Sequence, residues 1–468
     1  MRSIEELSGP RRLPGLGNAL QVRPSQLHAT AERWCREYGT IFRFDLGPRP
    51  VIGVGDARVI DEVLRLRPGR FRRWAELAAV FDEMGIPGVF SAEGEDWKRQ
   101  RRLAVTALNS DHLHRYFDVI RIANERLASR LRDAARTGAP LAIDREFKSF
   151  TVDVTSALAF GRDPSSDAGH EDLRPEIDRV FAMIARRVSA PVPYWRHVRL
   201  PADRALDRSL AVLRVAVGEF IEQARERVRA RPELREKPEN FLEGMLAAQE
   251  LEGRLSDREL FGNALTMLLA GEDTTALTLA WASLLLAQHP GTQDQLAAEA
   301  QDLLGDAALL LDLDTAARFS FGEAVLREAL RMKPASAVIF LESLEETVVG
   351  DVRIPRGTRL LLLTRYAGVD ESNFVRPDAF DPTRWLGAGT SAHDPKAFLP
   401  FGAGPRFCPG RNLAFLEAKA ALAMLARNFE VTLDPTAKPV TEQFTFTMAP
   451  RGLRVLLRER NSVGPAEI

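Results

Sequence analysis

Phe401-Gly402-Ala403-Gly404-Pro405-Arg406-Phe407-Cys408-Pro409-Gly410 is the stretch on which the reading of this chain turns. It is a glycine-rich loop that delivers one cysteine to the start of a helix, since a helical pattern follows over Leu413–Asn428. Pro409 suits the first helical position, where a missing N–H costs nothing. The amides that follow, and the positive end of the helix dipole, would then face the sulfur. Such surroundings lower a thiol's pKa and favour the thiolate. Gly402, Gly404 and Gly410 would let the backbone approach something flat and bulky. A buried structural cysteine is the bland alternative. A zinc site fails, because no second Cys or His stands at ligand spacing. A cysteine nucleophile also fits a helix N-terminus, but Arg406 and Phe407 flank Cys408. The nearest histidine, His393, lies in an irregular segment with no clear geometry.

Upstream, the period-3.6 pattern over Asp257–Gln288 is long and strongly apolar. Ala264 to Ala287 is about the length of a bilayer crossing. Its middle holds Gly271-Glu272-Asp273-Thr274-Thr275, and two adjacent acids at mid-membrane would cost several kcal/mol. A buried helix of a water-exposed protein is the better reading. Glycine and threonine are poor mid-helix residues. The Thr274 hydroxyl can bond the Ala270 carbonyl four residues back, which tends to bend a helix. Ala270 and Gly271 leave room beside it.

Two weaker patterns stand on other helices. Glu328 and Arg331 in Glu328-Ala329-Leu330-Arg331 share a face, which alone means a surface ion pair worth a few tenths of a kcal/mol. In Trp97-Lys98-Arg99-Gln100-Arg101, Trp97 and Arg101 sit one turn apart, and a solvated charge run is the alternative.

Lys+Arg 64 against Asp+Glu 65 gives a net charge of −1, so no global basic field suggests nucleic acid or a membrane surface. Two cysteines cannot make a disulfide framework. Met1 to Leu13 has no apolar core, so neither a signal peptide nor a membrane anchor is expected, and the cytoplasm is the default compartment. An amphipathic helix is expected over Ser25–Tyr38, and a hairpin from Ile41–Phe44 and Val51–Val54. Further helices are expected over Arg115–Arg136, Ala202–Ala230, Gln293–Leu304 and Gly322–Arg331. Strands are expected at Thr347–Val352, Arg359–Thr364, Phe444–Phe446 and Leu453–Leu457. Gly368 to Pro400 reads as a long ordered meander of the kind that is often functional. The class is α+β, mostly helical.

The cysteine loop resembles the haem-binding loop of cytochromes P450, Phe-x-x-Gly-x-Arg-x-Cys-x-Gly, with every fixed position present and Ala414 following. The resemblance spans essentially the whole chain, and Gly88–Trp97 reads like soluble bacterial members. It implies haem b with Cys408 as axial ligand, Phe401 beside the sulfur, and Arg406 on a propionate. A thiolate opposite O2 favours O–O cleavage. Trp97 and Arg101 could also reach a propionate. Glu328 and Arg331 resemble the family's structural pair, which Arg384 would complete from the meander. Thr274 would donate or position protons for dioxygen reduction, with Asp273 relaying them from solvent. The family often places a basic residue after the Glu328 helix, where this chain has Ile339-Phe340-Leu341-Glu342-Ser343. Propionate binding is therefore expected to lean on Arg101 and Arg406.

The implied protein is one catalytic domain over 1–468. It divides into a small β-rich part at roughly 1–70, a helical haem-binding core at 71–430 and closing strands at 431–460. It would be a monomeric monooxygenase acting on a hydrophobic fatty acid, terpenoid or polyketide-like compound. Stretches expected to line the pocket are Leu77–Phe90, Val188–Tyr194, Gly262–Ala270, Ala335–Phe340 and Phe444–Thr447. Among their residues are Val89, Phe90, Met267, Ala270, Val338 and Phe446. The sequence stops about a dozen residues after the closing strand, so electrons are expected from a separate ferredoxin or flavodoxin with its NAD(P)H reductase. Lys98, Arg99, Arg102 and Arg411 would form its docking patch. A haem-thiolate peroxygenase or isomerase, or a non-catalytic haem sensor, stays open at this stage. Turnover from peroxide alone would mark the first, and no coupled NAD(P)H and O2 consumption the second.

Overall fold

The computed structural model describes residues 1–47, 49–108, 110–161, 173–188, 190, 192–252, 255–387 and 393–460. Its axis is the helix Asp257–Gln288. This central helix starts at Ser256, which accepts from the Glu259 amide while the Glu259 carboxylate accepts from the Ser256 amide at 2.9 Å. Residues on every side of it are buried from Leu260 to Leu286, so it runs through the core rather than over it. The helix Ile143–Phe160 crosses it closely. A Cβ at Gly271 would lie 2.3 Å from the Thr155 hydroxyl, so that glycine is required by the crossing. The helices Ser110–Thr137 and Arg411–Asn428 pack around the same pair.

Strands form a five-stranded sheet in the order β1-β2-β7-β4-β3. Its members are β1 Ile41–Leu46, β2 Arg49–Val54, β3 Phe71–Arg73, β4 Ile339–Ser343 and β7 Arg359–Leu362. The β1–β2 hairpin pairs Ile41 with Val54, and Pro48 in its turn lies outside the described residues. Strand β2 runs parallel to β7, with Val51 opposite Arg359. A parallel pair needs a crossover, and here the crossover is the whole helical body. The β-rich region is thus built from two distant stretches, extending beyond 1–70 to segments that were expected inside the helical core. The run Ile339–Ser343, read only for its missing basic residue, is an interior strand.

Other boundaries move as well. Thr347–Val352 is a hairpin of β5 Thr347–Val349 and β6 Val352–Ile354, turned at Gly350 with φ 60°. Strand β9 Thr441–Phe444 stops before Thr445-Phe446-Thr447, which form the turn into β10 Met448–Arg451. β11 Val455–Glu459 closes against β8 Phe429–Leu433. No helix among the described residues is long and apolar enough to cross a membrane.

Beneath the cysteine loop, Glu328 and Arg331 on the helix Ser320–Met332 are fully buried. Arg331 grips the carboxylate through both oxygens, at 2.9 and 2.8 Å. Arg384 Nε donates to Glu328 Oε1 at 3.0 Å and Trp385 Nε1 to Oε2 at 2.9 Å. The arginines also reach meander carbonyls: Arg331 that of Gly368, and Arg384 that of Val375. Residues 388–392 of the meander lie outside the described residues. Removing one partner from such a cluster leaves an uncompensated charge in the interior. Glu328→Gln is therefore expected to cost about 3–5 kcal/mol, read by urea denaturation, and to yield protein depleted in haem. A fully haem-loaded variant of wild-type stability would show that the cluster does not support the loop.

Candidate active site

The cysteine loop is built from two tight turns. Gly402 and Gly404 take φ of 72° and 66°, and residues Gly404–Arg406 make one turn of 3-10 helix. The Cys408 amide donates to the Phe401 carbonyl at 3.0 Å, which folds Phe401 and Cys408 back to back. A Cβ at Gly404 would sit 2.6 Å from the Leu64 carbonyl, so this glycine is required by close contact with the neighbouring helix Ala57–Arg65. At Gly402 nothing lies within 4 Å of the same position. The helix begins at Arg411 with Gly410 as its cap, so Pro409 precedes the helix rather than opening it.

The amides of Gly410 and Arg411 nevertheless hydrogen-bond the sulfur. Burial pushes the Cys408 thiol up, and those amides together with the Arg101 charge pull it only part of the way back. The expected lowering is therefore not supplied by the loop alone. A bound metal cation is what would complete it, because a coordinating thiol is deprotonated outright.

Four arginines gather beside the loop. Arg406 stacks over Trp97 at 4.5 Å, donates to the Ala92 carbonyl at 2.8 Å and pairs with Glu93. Arg67 lies 3.6 Å from Glu93. Arg73 donates to the Phe90 carbonyl at 2.8 Å, and Arg101 donates to the Phe407 carbonyl. Burial, followed by repulsion from Arg406, lowers Arg67 to about 10. Burial likewise lowers Arg406 to about 10 against the pull of Glu93. Nε and Nη2 of Arg67, and Nε and Nη1 of Arg406, are buried without a hydrogen-bond partner. Several cations sharing one carboxylate, with four donor nitrogens unfilled, fit a group bearing two carboxylates. Haem b is such a group. Sequence reasoning placed Trp97, Arg101 and Arg406 here and missed Arg67 and Arg73. They come from the β3 region, which reaches the site only through the sheet.

The sulfur opens into a cavity of about 1400 Å3. Val89, Phe90, Met267, Ala270, Val338, Phe401 and Phe446 all line it, as do Gly271 and Thr274. Ser189 and Pro191, within the expected lining stretch Val188–Tyr194, lie outside the described residues. Rings of Phe81, Phe90, Phe181 and Phe446 meet at one end, with centroids 5.3–6.2 Å apart. Thr274 Oγ1 donates to the Ala270 carbonyl at 2.9 Å, four residues back.

Asp273 turns away from this cavity. Its Oδ1 pairs with Lys148 Nζ at 2.9 Å, and its Oδ2 accepts from the Thr447 hydroxyl. Lys148 also pairs with Asp178 at 2.6 Å, and Asp178 is exposed. Burial pulls the Lys148 ammonium down, but Asp273 and Asp178 together more than reverse it. The neighbouring Glu272 is fully buried, and among the described residues neither of its carboxyl oxygens has a partner. Burial raises it to about 9, with Lys148 opposing. On the cysteine helix, burial raises Glu417 to about 8 against a hydrogen bond from Thr275. Lys148, Thr447 and Glu417 carry no local sequence signal, because each meets the central helix only through tertiary packing.

The expected basic docking patch is weaker than its composition. Lys98 pairs with Glu95 at 2.6 Å, and Arg99 pairs with Asp96 at 2.9 Å and with Glu259. Arg411 lies over the Phe407 and Phe415 rings at 5.8 and 5.7 Å. Arg102 is exposed.

A family profile described as Cytochrome P450 matches residues 7–457. Among curated proteins, the chain is 30% identical to Cytochrome P450 734A4 of Oryza sativa subsp. japonica, over 86% of this chain and 78% of that one. It is 28% identical to Cyclooctatin synthase of Streptomyces melanosporofaciens, over 92% and 90%. It is 27% identical to the mitochondrial 25-hydroxyvitamin D-1 alpha hydroxylase of Rattus norvegicus, over 96% and 93%. Relatives therefore come from plants and mammals as well as bacteria, and a specifically bacterial type is not what the similarity marks.

The buried acid on the central helix makes stability depend on pH. Glu272 titrates near 9 when folded, against an ordinary carboxyl value when unfolded, so the folded state binds more protons between those limits. Stability from this group is present below about pH 4 and is lost as pH rises toward 9, at up to about 1.4 kcal/mol per pH unit. Glu272→Gln should flatten that slope, as measured by urea denaturation from pH 6 to 9. An unchanged slope would mean the carboxyl is ionised or solvated.

Proposed function

This chain belongs to the cytochrome P450 family and is a haem b monooxygenase; from that premise we propose that it hydroxylates or epoxidises a hydrophobic terpenoid, fatty acid or polyketide-like compound. The observation that carries the reading is the aromatic and aliphatic chamber that begins at Ala270 and ends at Phe81, Phe90, Phe181 and Phe446. Such walls select by shape and apolar area rather than by charge. A relative named for 25-hydroxyvitamin D agrees with a lipophilic substrate. We read the whole chain as one catalytic unit.

When bound, the haem supplies the reduction of O2 and the oxygen transfer itself. Cys408 Sγ would hold it from one side, supported by the Gly410 and Arg411 amides. Arg67, Arg101 and Arg406 would hold its carboxylates, with Trp97 stacked beneath Arg406. Thr274 presents its hydroxyl at the cavity wall and would deliver a proton from Oγ1. Asp273 would resupply that proton, drawing on solvent through Lys148 and the exposed Asp178. The four Phe rings exclude water from the far end.

The enzyme needs an electron donor, which we take to be a separate acidic ferredoxin or flavodoxin approaching the cysteine side near Arg102 and Arg411. We place it in the cytoplasm, which two unpaired cysteines fit, and read it as a monomer. Donor-dependent reduction should slow as salt screens exposed charge over about 8 Å at physiological ionic strength. A stopped-flow rate indifferent to salt would place docking on another face.

Two substitutions test the chemistry. The CO complex of the reduced wild type should show the strongly red-shifted Soret band of a thiolate ligand, and Cys408→Ser should abolish both that band and the activity. A wild-type spectrum typical of histidine ligation would sink the assignment. Thr274→Ala should keep haem and substrate binding but lower product formed per NAD(P)H by about tenfold or more, with peroxide replacing product. Unchanged coupling, measured with a compound found by screening fatty acids, terpenoids and macrolides for spin-state shifts, would remove Thr274 from the proton path.

A further inference from the structure

Both oxygens of Asp273 are already engaged, Oδ1 by Lys148 and Oδ2 by Thr447. The acid proposed to serve Thr274 is therefore held away from it, and one of the two holding groups sits on an element that also meets the ligand. Thr447 is in the turn between β9 and β10, directly after Phe446. Phe446 points into the cavity and packs against Phe81, Phe90 and Phe181 at 6.2, 5.5 and 5.8 Å.

The base of this hairpin is fixed. Glu442 on β9 accepts from His28 Nε2 at 3.0 Å and from Arg365 Nη1 at 2.6 Å, and pairs with Lys333. The Met448 amide donates to the Ala335 carbonyl at 2.9 Å, and Trp281 Nε1 donates to the Met448 carbonyl at 2.8 Å. Only the turn is left to yield, and it is tied across itself by a 3.0 Å bond from the Thr445 amide to the Thr447 carbonyl.

We propose that Thr447 is a positioning residue that couples occupancy of the pocket to the proton path: a ligand that displaces Phe446 withdraws the Thr447 hydroxyl from Asp273 and frees its Oδ2, while Oδ1 stays on Lys148. Without a ligand Asp273 stays engaged by Thr447, so the acid is released toward Thr274 only when the pocket is occupied. The inference rests on reading Asp273 as the acid behind Thr274. Its physical content is a linkage, in which the cost of breaking one hydrogen bond is charged against every ligand long enough to reach Phe446.

Binding to the holoenzyme tests this without turnover, using two probes that both coordinate the haem iron. Imidazole is too small to reach the hairpin, whereas the twelve-carbon chain of 1-dodecylimidazole is long and apolar enough to extend toward Phe446. Thr447→Val should tighten 1-dodecylimidazole about tenfold, the worth of one hydrogen bond to a charged group, and leave imidazole unchanged. Thr447→Ser should restore wild-type affinity. In a Phe446→Ala background, Thr447→Val should have no effect, because the lever is gone. Amide exchange in the wild type supplies a measurement that needs no variant. 1-Dodecylimidazole should speed exchange at Thr445 while Met448 stays protected. Equal effects of Thr447→Val on the two probes, or a Thr445 amide indifferent to 1-dodecylimidazole, would overturn the coupling. Coupling of NAD(P)H to product in Thr274→Ala is read separately, so either idea can fail while the other stands.

Discussion

The carboxylate of Glu328 has no exposed surface, so protein groups alone must neutralise it. Arg331 supplies a bidentate charge from the same helix, and Arg384 and Trp385 supply donors from the meander. The order of the site descends from that buried pair. The Trp385 ring meets Phe398 at 4.7 Å, and Phe398 leads straight into Leu399 and Phe401. Arg327, one position before Glu328, lies over both Trp385 and Phe415 at 6.0 and 5.7 Å, and Phe415 packs 5.5 Å from Phe401. A continuous contact path thus runs from the buried charge to the residue whose carbonyl holds the Cys408 amide. A cluster of this kind adds little net stability over apolar packing, yet breaking it is costly. That asymmetry suits a part whose task is to fix a loop in one position.

Much of this was legible because it is local. The cysteine loop, the Glu328–Arg331 spacing and the polar break Ala270–Thr275 each hold their information within one turn or two. The central helix was readable to its ends because Ser256 and Glu259 form a capping box in consecutive sequence. What could not be read depends on register between distant segments. Arg67 and Arg73 join the arginine cluster beside the cysteine loop from the region of β3, which pairs with β4, Phe71 opposite Ser343. Lys148 and Thr447 meet Asp273 from elements on either side of it in sequence. Glycine positions were visible, but their reasons were not. Gly271 is also required by Thr155 on a crossing helix and Gly404 by the Leu64 carbonyl, contacts that no local pattern signals.

The run Ile339–Ser343 after the Glu328 helix brings no basic residue to the arginine cluster, and its Glu342 pairs with Arg72 at 2.5 Å. Arg67 and Arg73 add positive charge to the cluster and crowd like charges around Glu93. Such crowding lowers each arginine's preference for its charged form, and anionic oxygens arriving there would relieve it. Under the proposed placement of the haem carboxylates, haem binding would be linked to folding of this corner.

The same logic governs the central helix, where two adjacent acids meet opposite fates. Glu272 finds no donor, and burial leaves it holding its proton at neutral pH. Asp273 finds an ammonium and a hydroxyl. One residue of helix, a rotation of about 100°, separates a neutral group from one shaped to carry charge. Only the second has a polar route outward, through Lys148 to Asp178 at the surface. A proton path needs groups that exchange protons with water, and a neutral carboxyl without partners cannot begin one. Asp273, itself buried, is thus the acid of this pair joined through Lys148 to the exposed Asp178, while Glu272 lends the helix a buried group that does not compete for Lys148 at neutral pH.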